Sequence, residues 1–247
     1  LTHLLIDADI LIFKATTSSE KPIEWSEGFW TMHGFEDDAL RYLNDRVSLW
    51  TDKFKATKVT YCLTDSNNWR KEILPTYKAN RKGTRKPLML PVLRDILLDK
   101  YSAQIWDTLE ADDILGILAT EDTDEKRIVI SEDKDLKTIP CTLYNPDKET
   151  VTEITQRDAD YWHMFQTLVG DSTDNFAGCP SIGPVTAHKL LTTTGTPEEM
   201  WKMVVTAYRR QSLGEDFALT QARVARILRS EDFYKKEVKY WNPPQIS

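Results

Sequence analysis

Apolar positions along this chain follow two rhythms. Short, nearly unbroken apolar runs at residues 3–7, 58–63 and 127–130 read as buried strands, each followed at once by polar or acidic residues. Elsewhere the apolar residues recur three or four apart. Leu40, Leu43, Val47 and Trp50 set that spacing within residues 35–54 and predict an amphipathic helix. Helices are also expected to begin near residue 10 and to cover 92–101 and 110–119, with a short strand at 103–106. Residues 16–34 read as a polar insertion carrying Trp25, Phe29 and Trp30, and residues 66–91 as an irregular basic stretch broken by Pro75, Pro87 and Pro91. Residues 145–148 (Asn-Pro-Asp-Lys) make a turn between short extended pieces. From residue 155 onward the pattern is helical, with a loop at 178–183 and helices near 184–193, 197–211 and 216–229.

Strands alternating with helices predict an α/β fold: a central, mostly parallel sheet flanked by helices, followed by a smaller helical part. The expected division is residues 1–154 and residues 155–247. In such sheets ligands bind beyond the carboxyl ends of the strands, so residues far apart in sequence can meet in one site.

The chain has 247 residues, 40% hydrophobic and 29% charged, the profile of an ordinary globular protein. No run of 18 apolar residues and no signal-peptide pattern is present, so neither a membrane span nor secretion is expected. Three widely separated cysteines (Cys62, Cys141, Cys179) suggest reduced thiols, and the four histidines show no ligand spacing. The net charge of −7 argues at first against a nucleic-acid partner. Setting aside nine clustered acids changes that, because 32 basic residues then face 30 acidic ones.

Those nine acids are Asp7, Asp65, Glu110, Asp112, Asp113, Asp133, Asp135, Asp171 and Asp174. Most stand at strand ends or helix starts, where a carboxylate must be solvated, paired or bound to metal. Nearby lysines and arginines are too few to neutralise them all. Hard divalent cations suit oxygen-only sites, with Mg²⁺ first and Mn²⁺ as the alternative. Each cluster also has a plain reading. Asp7-Ala-Asp9 can cap a helix, or open a dehalogenase-type phosphatase site, although Ile10-Leu11 stand where that motif has Gly-Thr. Acids at 110–113 favour a helix start, but a third acid in four positions adds repulsion. Asp133 and Asp135 suit a solvated turn; Asp171 and Asp174, three apart, suit a cap.

Basic residues interleave with aromatics at Trp69-Arg70-Lys71 and at Tyr77-Lys78-Ala79-Asn80-Arg81-Lys82, followed by Arg85-Lys86. That pattern suits phosphate contact with base stacking, or simply a solvated loop. The Gly178–Gly183 loop is either a plain turn or a surface that offers backbone groups to a DNA phosphate.

Taken in order, LLIDAD, LTDSNNWRKEILPTYKANRK, LEADD, ISEDKDLKTIP, YWHMFQTLVGDSTDN, IGPVTAHKLL and VARILR resemble the 5′-nuclease (flap endonuclease) superfamily. The likeness is greatest to the 5′→3′ exonucleases of podovirus-type bacteriophages. It implies a PIN-like α/β catalytic domain with an arch near residues 66–91, and a helix–three-turn–helix DNA-binding element in the C-terminal part. By this resemblance Asp7, Asp65, Glu110 and Asp112 hold a first Mg²⁺, and Asp113, Asp133, Asp135, Asp171 and Asp174 a second. Lys78 and Arg81 are the catalytic basic pair. Tyr77 stacks on the terminal base, and Arg70, Lys71, Lys82, Arg85 and Lys86 contact DNA. Gly178, Ser181, Ile182, Gly183 and Thr186 bind the duplex backbone, in relatives often with K⁺; here Ser181 replaces a usual Gly and the common Lys is missing. The activity implied is Mg²⁺-dependent hydrolysis of DNA, and of RNA primers in RNA–DNA hybrids, from 5′ ends, gaps or flaps. The implied setting is the host cytoplasm, alongside replication proteins. A DNA-structure-binding module without catalysis and a PIN-type ribonuclease are the competing readings.

Overall fold

The structure, a computed structural model describing residues 1–81 and 83–244, starts with the most buried strand of the molecule. The elements in order are β1 (Thr2–Asp7), α1 (Ala8–Ser18), β2 (Glu20–Ser26), β3 (Phe29–Gly34), α2 (Glu36–Phe54), β4 (Lys58–Leu63), α3 (Arg70–Ile73), α4 (Leu90–Lys100), β5 (Gln104–Ile105) and α5 (Ala111–Thr120). They continue with β6 (Lys126–Ile130), β7 (Cys141–Asn145), β8 (Thr150–Ile154), α6 (Gln156–Val169), α7 (Pro184–Leu191), α8 (Pro197–Arg210), α9 (Glu215–Ala225), β9 (Phe233–Tyr234) and β10 (Glu237–Val238). Single 3₁₀ turns lie at Ala79–Arg81 and Lys134–Thr138.

Six strands form one sheet in the order β5-β4-β1-β6-β7-β8, parallel throughout except for the antiparallel β7–β8 hairpin. Its centre is apolar on both sides, as a parallel sheet requires. Leu4 and Ile6 of β1 face α1, α2 and α4, whereas Leu5 faces α5 and the segment through Ile227 and Leu228. Register aligns the strand ends: Asp7 pairs beside Cys62 of β4, and Ile6 beside Ile130 of β6. The chain leaves β1 toward β4 on one side and takes up β6 on the other. A crevice therefore opens beyond Asp7, at the point where the direction of winding reverses.

Helices α6 to α9 build a second core around Leu168, Trp201, Val204, Tyr208 and Ala222. That helical half does not stop at its own core. After α9 the chain returns to the sheet, where Leu228 packs among Leu115, Val129 and Ile139.

Parts of the chain differ from the sequence expectation, the β9–β10 hairpin within the expected helical half among them. Within the expected polar insertion, residues 20–34 are an antiparallel ribbon, with a bulge between Glu24 and Ser26 and Gly28 at a φ of 75° in the turn. Trp25, Phe29, Trp30 and Met32 are all exposed on it, so neither face shows the half-buried alternation that identifies a strand. Residues 66–91 contain the short α3 and a 3₁₀ turn, both set by tertiary contacts.

Candidate active site

Asp7 ends β1 and at once caps α1, accepting from the Ile10 amide at 3.2 Å and the Ser131 hydroxyl at 2.8 Å. Burial, with Asp9 nearby, pushes its carboxyl up to about 7. Glu110 is the N-cap of α5 and accepts from the Tyr77 hydroxyl (3.0 Å), from Arg70 (2.9 Å) and from Lys78. Burial alone would raise it, but Arg70 and Lys78 prevail and hold it at about 2. Two residues on, Asp112 is driven well above the usual carboxylate range by burial and by the charges of Asp133 and Asp7. Asp133 caps the 3₁₀ turn after β6 through the Asp135 amide at 2.8 Å. Asp135 accepts from Gln166 of α6 at 2.6 Å, and burial together with Asp133 pushes it up to about 7.

The loop after α6 brings in the last pair. Asp171 binds the amides of Thr173 and Asp174 and pairs with Lys134 at 3.2 Å; these contacts outweigh its partial burial and lower it. Asp174 pairs with Arg81 at 2.5 Å and accepts from the Tyr77 hydroxyl at 2.9 Å. Lys78 lies between Glu110 and Asp174, whose charges raise it against the effect of burial. Its backbone has a φ of 54°, a left-handed geometry that costs a lysine about 1 kcal/mol. A hydrogen bond from its amide to the Asp174 carbonyl at 2.9 Å holds it there.

These residues line one cleft of about 430 Å³. Its wall carries Asp7, Asp9, Glu110, Asp112, Asp133, Asp135, Asp171 and Asp174 against Lys78, Arg81 and Lys134. Seven of the nine acids expected from the sequence thus meet in one place. Among the described residues no three of them surround a common point at ligating distance, and three of the acids, Glu110, Asp171 and Asp174, are paired with basic side chains. The donor set is carboxylate oxygen throughout and in charge excess, which fits Mg²⁺ or Mn²⁺ and gives no soft ligand for other metals.

Several sequence assignments need correction. Asp113 does not face the cleft: it is fully buried, bridged to both Nη atoms of Arg70 at 2.8 Å and bound by the Trp69 indole and the Leu228 amide. One residue is a rotation of about 100° on a helix, so Asp112 points to the cleft while Asp113 points to the core. Arg70 is 2% exposed and also donates to the carbonyls of Val224 and Arg226, so it is an internal tie and not a DNA contact. Tyr77 is buried against Phe176, Val224 and Ala225 with its hydroxyl spent on two carboxylates; no face is open for stacking. Gly178 is buried, held close to the backbone of Gly170, and cannot touch a duplex. Asp65 binds the amides of Asn67 and Thr108, contacts that hold it below its ordinary range despite slight burial, and it does not line the cleft.

The sequence reading missed Asp9 as a site residue. It lines the cleft and accepts from the Thr64 amide at 2.9 Å; its signal was the second acid of Asp7-Ala-Asp9. Of the remaining basic residues, Lys71 and Lys86 are exposed, and Arg85 pairs with Glu20 at 2.7 Å. Lys82 lies outside the described residues. Ser181, Gly183 and Thr186 are exposed and Ile182 half-buried at the start of α7, with Ser181 at a φ of 63°.

A parallel sheet whose central strand opens into an acid-lined, lysine- and arginine-braced cleft suits phosphodiester hydrolysis, and comparison with known proteins narrows the class. The family model described as 5'-3' exonuclease, N-terminal resolvase-like domain, matches residues 2–161, and the chain belongs to that family. It is 30% identical to the exodeoxyribonuclease of Enterobacteria phage T3, across 97% of this chain and 92% of that protein. It is 29% identical to the exonuclease of Escherichia phage T7, across 97% of this chain and 93% of that protein. Among solved structures, the flap endonuclease of bacteriophage T5 in a complex with DNA and metal ions shares the fold, with a TM-score of 0.64 at 17% identity, covering 91% of this chain and 89% of that one.

Proposed function

We propose that this nuclease hydrolyses DNA, and RNA in RNA–DNA hybrids, from 5′ ends, with two or more Mg²⁺ ions held by the cleft acids. One observation carries the reading: acids from four separate segments line a single cleft together with Lys78 and Arg81. Asp7, Glu110 and Asp112 would hold one ion; Asp133, Asp135, Asp171 and Asp174 would hold the other. Asp9 stands beside the first group, where the resemblance had suggested Asp65. Bound ions supply Lewis-acid polarisation of the phosphate and an acidified water.

The chain's own residues supply placement. Lys78 and Arg81, steered by Glu110 and Asp174, are positioned to meet the non-bridging oxygens of the scissile phosphate. Removing such a donor typically costs about 3 kcal/mol of transition-state stabilisation. Tyr77 positions the pair from behind by fixing both carboxylates. Residues 1–154 would then provide most of the chemistry, with 66–91 as the arch, and residues 155–247 would grip the duplex while lending Asp171 and Asp174 to the cleft. The exposed Ser181, Gly183 and Thr186 would form the backbone contact of a helix–three-turn–helix element, with any K⁺ bound in that loop.

The test is incubation with Mg²⁺ and duplexes labelled at the 5′ or the 3′ end. Early release of short 5′-labelled product is expected. Asp112→Asn should lower turnover at least 100-fold while DNA binding persists; full cleavage by that variant would refute the assignment.

A further inference from the structure

We propose that a cavity of about 210 Å³ beside the cleft is a nucleotide subsite, in which one base of the DNA strand stacks on Trp162 and the adjoining phosphates meet Lys134 and Lys137. The cavity lies between the 3₁₀ turn Lys134–Thr138 and the outer face of α6, and Lys134 and Asp171 are walls of both this cavity and the catalytic cleft. A strand with a phosphate in the cleft therefore has this space for the neighbouring nucleotide. The inference rests on the nuclease reading and adds where the substrate is gripped.

Trp162 and Phe165, three apart, share a helix face. Their rings meet edge to face at 5.2 Å, and both are half-buried. Trp162 belongs to none of the hydrophobic cores among the described residues; its ring meets Tyr161, Phe165 and Lys137 at the rim of the cavity. The Lys137 ammonium rests over that ring, 4.7 Å from its centroid. A lysine there is a compact charge on a flexible stem, able to swing from the ring to a phosphate while a base takes its place. Stacking on an aromatic is tolerant of base identity, as a nuclease without sequence preference requires.

The experiment uses duplexes carrying 2-aminopurine at successive positions from the 5′ end, bound in EDTA so that no turnover occurs. Wild type should quench the probe at one position. Trp162→Leu should abolish that quench and weaken binding about ten-fold. Trp162→Phe should retain most of the quench. Lys137→Gln should reduce the salt dependence of binding by about one phosphate contact. Equal quenching and equal affinity in wild type and Trp162→Leu would overturn the subsite. If Trp162→Leu fails to fold, an unchanged salt slope in Lys137→Gln together with a wild-type quench that does not depend on probe position overturns it instead. Wild type that neither binds nor cuts these duplexes in Mg²⁺ would sink the nuclease reading, a separate result.

Discussion

Asp112 and Asp113 are adjacent in sequence and chemically identical, yet their surroundings give them opposite roles. Asp112 is crowded by Asp7 and Asp133, whereas Asp113 is neutralised by Arg70 in the core. Asp113→Ala should therefore destabilise the fold by about 3–5 kcal/mol, the usual consequence of stranding a buried arginine, measured by urea unfolding. Asp112→Ala should leave metal-free stability unchanged or slightly raised while removing activity. At residue scale the sequence revealed that acids concentrate at strand ends, which is why seven of nine assignments fall in the cleft. Rotation about α5 was not legible, because either face of an acidic first turn looks the same until its neighbours are known. Arg70 and Tyr77 were read as exposed because their buried partners, Asp113, Glu110 and the carbonyls of Val224 and Arg226, lie 33–156 residues away.

At the scale of elements, α5 shows how closely two parts of the chain meet. A Cβ on Gly116 would collide with the Leu228 carbonyl oxygen. Glycine to alanine in a helix interior ordinarily gains about 1 kcal/mol. Here Gly116→Ala should instead lose about 2 kcal/mol or more, an overpacking cost, read as a lower denaturation midpoint. The buried strands were legible because apolar runs of that length suit a doubly covered sheet. The β2–β3 ribbon was not, and neither was the β9–β10 hairpin, whose two turn residues Lys235 and Lys236 adopt positive φ without the Asn or Gly that would signal it. Glu20 of the ribbon accepts from Arg85 and from the Leu88 amide, so the ribbon and the segment before α4 are tied at one carboxylate. Glu20→Gln should weaken the Arg85 contact and increase protease sensitivity near residue 85, checked by limited proteolysis.

For the whole molecule, the proposed binding of Mg²⁺ by the cleft acids predicts that stability depends on cations. Mg²⁺ at about 100 times its dissociation constant should stabilise the protein by about 2.7 kcal/mol. Chelation should reverse this, and a cleft variant such as Asp112→Asn should respond less in the same thermal scan. A second dependence comes from His163, buried between α6 and α9 and donating from Nε2 to the Ala222 carbonyl. Burial, aided by Arg226, lowers it well below its ordinary 6.5. The unfolded chain then takes up a proton that the folded chain refuses. Its contribution is present above pH 6.5 and declines as pH falls below it, by up to about 1.4 kcal/mol per unit. Urea unfolding at pH 7.5 and 5.5 should show a smaller loss in His163→Phe than in wild type; subtracting the variant removes the contribution of the cleft acids.

The return of residues 226–229 to the sheet also bears on synthesis. Arg70 and Asp113 find their last partners, the Arg226 carbonyl and the Leu228 amide, only when that stretch has left the ribosome. Until then the nascent sheet holds an unfinished ion pair at its heart, and α5 is covered only on its sheet side. A nascent chain stalled before residue 226 should be inert toward DNA however completely its acids have been translated.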